Sequence, residues 1–140
     1  MNELLGLTQL LYSCWIVSGL AEDGKETIPT GGSVLEYALR DAVQKGVFPE
    51  WARKKLHFVC GDTGLVCLEL PVIEKLATEI KLTSEPNPSY TRTHIVVGKP
   101  LARRCLSRLG IPEEQAIVWG LALRQAVETA EQEFQLAQPA

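Results

Sequence analysis

The sequence predicts an α+β fold: a small three-stranded sheet, formed by a hairpin over residues 57–70 and a strand over 91–97, packed with five or six helices. Three observations predict it. Apolar residues recur at helical spacing in several separate stretches. Two short apolar runs flank Gly61-Asp62-Thr63-Gly64, a good composition for a tight turn. Glycines and prolines fall between the periodic stretches, where they end one element and open the next. The chain has 140 residues and no long linker, so it reads as a single globular domain over 1–140.

The first helix is expected over residues 2–21. Leu4, Leu7, Leu11, Cys14, Trp15 and Leu20 lie near helical spacing, and Leu5, Leu10, Ile16 and Val17 widen the stripe. Such a helix should be largely buried. Gly24 suits its left-handed close. The stretch from Leu4 to Leu20 is interrupted by polar residues and lacks a preceding lysine or arginine, so neither a signal peptide nor a membrane span is expected.

Residues 22–32 read as a polar loop. Ser33 and Glu36 have the spacing of a capping box, opening a helix over about 34–45 that Gly46 ends. Pro49 opens a short helix over about 49–55. In the hairpin, a turn at Asp62-Thr63 pairs residue 60 with 65 and 58 with 67. Pro71 opens a helix reaching Leu82, with Val72, Ile73, Leu76, Ala77 and Ile80 inward. A loop containing Pro86 and Pro88 leads to the third strand. If that strand joins the hairpin's sheet, its connection should be right-handed.

Pro100 begins a helix ending at Gly110, and Pro112 begins the last, to about residue 135. Its expected inward residues are Ile117, Gly120, Leu123, Val127, Ala130 and Phe134, close to a heptad seam. A glycine inside a helix is costly and suits close approach of another helix. The seam is therefore read as helix–helix packing, either within the fold or as the interface of a homodimer.

Net charge is −3, so a global electrostatic attraction to nucleic acid is not expected. Charge order is more informative. No acid occurs between Glu85 and Glu113, a stretch carrying Arg92, His94, Lys99, Arg103, Arg104 and Arg108. Gly98-Lys99-Pro100 stands at a helix start, where free amides favour phosphate. Lys99, Arg103 and Arg104, with Arg92 and Arg108, form a candidate anion site for a nucleotide, a phosphorylated ligand or nucleic acid. The glycine pattern of a P-loop is missing. A bland alternative is a basic helix face that pairs with the acidic last helix. Residues 101–118 also suggest a helix-turn-helix, but Glu113 and Glu114 would then face the phosphates.

Cys14, Cys60, Cys67 and Cys105 show no dense framework and read as reduced core thiols of a cytoplasmic protein. A cysteine enzyme would use Cys60 or Cys67 with His57 or His94. Strand alternation sets His57 on the face opposite Cys60 and Cys67, which argues against a zinc cluster. No catalytic, cofactor or metal site is assigned. The leading expectation is a non-catalytic interaction or regulatory protein whose partner is another protein or a second copy of itself, with no membrane partner.

Overall fold

The computed structural model describes residues 3–22, 26–30, 33–62, 64–85 and 91–137. Gly24, Gly31-Gly32, Thr63 and the segment with Pro86 and Pro88 lie outside them. The element order is α1 (Leu5–Val17), β1 (Glu26–Pro29), α2 (Val34–Gln44), α3 (Glu50–Arg53), β2 (Phe58–Gly61), β3 (Gly64–Cys67), α4 (Leu70–Glu79), β4 (Arg92–Ile95), α5 (Lys99–Arg108) and α6 (Glu113–Ala137). The mixed α+β class holds.

Helix α1 is the centre of the core. It packs against α4, α5 and α6, and α2 lies against α6. Every residue from Leu10 to Val17 is buried, because neighbours surround α1 on most of its circumference. It is shorter than its apolar run: Ser18 and Gly19 donate back to the Cys14 and Ile16 carbonyls, and Leu20 is fully exposed. Helix α2 matches its periodicity, with Leu35, Ala38, Leu39 and Ala42 buried. It begins without the expected capping box. Ser33 is left-handed (φ 66°) and makes no side-chain cap hydrogen bond. Gly110, also left-handed (φ 72°), turns the chain between α5 and α6.

The three-stranded sheet is not formed. Strand β4 pairs with β1, and the hairpin β2–β3 stands as a separate two-stranded sheet. The partner of β4 comes from Glu26-Thr27-Ile28-Pro29, within the stretch read as a polar loop. Ile28 and Pro29 are buried there, while Arg92 donates to the Thr27 hydroxyl (2.6 Å) and carbonyl (3.2 Å). On its other edge β4 touches the segment after α4: Ser84 N–H donates to His94, and Val96 N–H to Leu82. The right-handed crossover expected from α4 into the hairpin's sheet therefore does not arise.

Where α6 crosses α1, a Cβ on Gly120 would overlap the Cys14 carbonyl oxygen and the Ser18 side chain. Four residues on, Arg124 fastens three elements. It donates to Ser18 Oγ (2.8 Å), to the Trp15 carbonyl and to Glu26 Oε2 (2.6 Å), and its guanidinium lies 4.3 Å from the centre of the Trp15 ring. No helix among the described residues is long and apolar enough to cross a membrane.

Candidate functional site

The hairpin forms in the expected register: Phe58 opposite Cys67, Val59 opposite Val66, Cys60 opposite Leu65. Alternation puts Phe58, Leu65 and Cys67 on the inner face, towards α2, where the last two are buried. Cys60 shares that face, yet it is exposed and so departs from the core thiol expected of it. His57, Val59, Val66 and Leu68 occupy the outer face and are all exposed, Val59 to 45% and Val66 to 37%. Val72, expected inward, is also exposed, because α4 turns Ile73 and Ala77 to the core instead. Thus the hairpin is apolar on both sides and packed on one.

The base of the hairpin is clasped by Glu69. Its Oε1 accepts from the His57 backbone N–H (2.7 Å), and its Oε2 lies 2.7 Å from His57 Nδ1. Cys67 Sγ approaches the same carboxylate at 3.9 Å. This is not an activated thiol. Burial pushes Cys67 up to about 11, and the Glu69 charge adds to the shift. Cys14 is pushed up to about 12 by burial. His94 is in the other sheet, opposite Thr27. Among the described residues no group of three or more His, Cys, Asp or Glu side chains could hold a metal ion.

The basic stretch is largely engaged with the chain's own acids. Lys99 Nζ lies 3.7 Å from Glu22 Oε1, and Arg103 bonds Glu113 (2.7 Å) as well as approaching Glu22 (3.6 Å). The Glu113 hydrogen bond, with the nearby acid charges, holds the Arg103 guanidinium above its usual range. Arg92 is shared between Thr27 and Glu131 (3.4 Å). Arg104 and Arg108 are exposed, one turn apart on α5.

The six seam residues of α6 face the chain's own helices to different degrees. Gly120, Leu123, Val127 and Ala130 are buried, whereas Ile117 and Phe134 are half-buried, and the Phe134 ring meets Tyr37 edge-on at 5.5 Å. The outer stripe of α6 runs through Val118 and Leu121, exposed to 59% and 52%. Between α2 and α6 lies a cavity of about 380 Å³ lined by side chains of both charges, including Arg40, Lys45, Asp41 and Glu133.

Two features escaped the sequence reading. The outer hairpin face was detectable, since apolar residues fill both parities of residues 57–68. The second is a pair of acids. Glu74 on α4 is pushed up to about 7, first by burial and then by the neighbouring Glu36 charge. Burial also raises Glu36, and Tyr12 is raised by burial and by Glu74. Nothing in the spacing of residues 36 and 74 announces this meeting. No family model, curated protein or solved structure matches the chain.

Proposed function

We propose that this chain is a non-catalytic interaction or regulatory protein that works as a homodimer. One observation carries the reading: Val59, Val66 and Leu68 on the hairpin's outer face and Val118 and Leu121 on the outer stripe of α6 are exposed apolar side chains, while three of the four thiols are buried and several of the cations are paired with the chain's own acids. The outer stripe of α6 keeps this helix available for self-association, through Val118 and Leu121. Four unpaired cysteines suit a reducing compartment such as the cytoplasm.

A second reading is a modest anion contact. Arg104 and Arg108 favour it, being exposed at helical neighbour positions. Nucleotides, phosphorylated ligands and nucleic acid would share that chemistry.

Native mass spectrometry on freshly purified protein, with absorbance at 260 and 280 nm, separates the readings. The expected result is a mass twice that of the chain with nothing else bound. A monomer at high micromolar concentration sinks the homodimer. Bound extra mass with excess absorbance at 260 nm favours the anion reading.

A further inference from the structure

Among the described residues, strand β2 is an uncovered sheet edge. In an antiparallel ladder, opposed residues alternate between hydrogen-bonded and non-hydrogen-bonded pairs. Leu68 N–H donates to the His57 carbonyl (2.9 Å), which fixes that phase. Val59 and Gly61 then bond across to β3, and Phe58 and Cys60 direct their N–H and C=O groups away from it. No other described residue bonds to those four groups. Val59, Cys60 and Gly61 are exposed. Apart from being only four residues long, the strand lacks the usual safeguards: it has no proline, no lysine and no bulge in its pairing with β3. The opposite edge differs, because the outward groups of β3 belong to the buried residues Leu65 and Cys67.

We infer that β2 pairs antiparallel with β2 of a second copy of this chain, about a two-fold axis at Val59. This rests on the homodimer reading and places its interface at the hairpin edge rather than on the outer stripe of α6. The edge is self-complementary. With Val59 on the axis, Phe58 of each copy stands opposite Cys60 of the other, and each such pair exchanges two hydrogen bonds. On the outer face, Val66 and Val59 continue into Val59 and Val66 of the second copy, a row of four valines across a four-stranded sheet. On the inner face, Phe58 of the second copy covers the exposed Cys60. Charge agrees with the direction. Arg53-Lys54-Lys55 precedes the strand and Asp62 follows it, so antiparallel pairing brings the basic end of one copy to the acidic end of the other.

The test uses the full chain and analytical ultracentrifugation. Val59→Lys and Val59→Glu each place like charges opposite one another on the axis, and each should weaken the dimer by roughly tenfold or more. Mixing the two variants should restore a dimer, now of unlike copies. Because Val59 is exposed, both variants should melt near the wild-type temperature. A third variant, Val59→Cys with Cys60→Ser, should form a disulfide-linked dimer on mild oxidation. Residues opposed in a non-bonded pair have Cα atoms about 4.5 Å apart, within disulfide reach. An intact dimer in both charge variants, lost instead in Leu121→Asp, overturns this interface and leaves the homodimer standing. A wild-type monomer overturns both.

Discussion

The crossing of α1 and α6 and the hairpin β2–β3 are built on opposite terms. At the crossing the space and the polar groups around Gly120 and Arg124 are taken up. Gly120 leaves no room for a methyl group, and Arg124 satisfies Ser18, the Trp15 carbonyl and Glu26 at once while stacking on an indole. In the hairpin one face is packed and the other carries bare valines. The first region is closed and holds the fold. The second contributes little to stability on its outer side, so it is free to present a surface. Regions that bind partners are drawn from parts whose alteration does not unfold the chain.

That contrast can be broken from its closed side. The largest effect should come from Gly120→Ala. The added methyl would meet the Cys14 carbonyl oxygen as well as the Ser18 side chain, and the backbone oxygen cannot turn aside, so α6 must shift away from α1. A loss of about 3 kcal/mol is expected, read as a lower denaturation midpoint; a neutral result would mean that the two helices can part freely. Next is Arg124→Met, which leaves Glu26 half-buried without its cation. The expected cost is about 2 kcal/mol, below that of a fully buried pair because both partners keep some solvent. Adding Glu26→Gln should recover part of it.

The smallest effect concerns pH, and it lies between the two regions, where α2 meets α4. Glu74 is raised to about 7, and Glu36 is raised beside it. An acid whose folded pKa exceeds its unfolded value keeps its proton longer in the folded state. Stability is then full at low pH and falls as pH rises from the ordinary carboxyl range through 7. The melting temperature should drop by a few degrees across that window, and Glu74→Gln should flatten the slope. An unchanged slope in that variant would place the titration elsewhere.

Much of this arrangement was legible beforehand. The periodicity of α2, the end of α5 at about Gly110 and the hairpin register follow from rules local in sequence, and these were found as expected. Strand β1 was not legible. It has four residues, one of them proline and one a glutamate, and its strand character depends on β4 and on Arg124 far along the chain. The capping box failed for a related reason: residue types allow it, but Ser33 adopts a left-handed conformation without that cap. At the candidate site, the register was readable while the exposure of Cys60 and Val72 was not, since it depends on which neighbours arrive.

The two ribbons also differ in how far the chain must travel to close them. The hairpin closes through a turn of adjacent residues, whereas Arg92 and Thr27 meet across 65 positions. Long loops cost more entropy and must wait for other contacts to offset it. During synthesis the hairpin has emerged before β4 or α6 exists. Strand β2 is therefore present on the nascent chain before α6 arrives to complete the core.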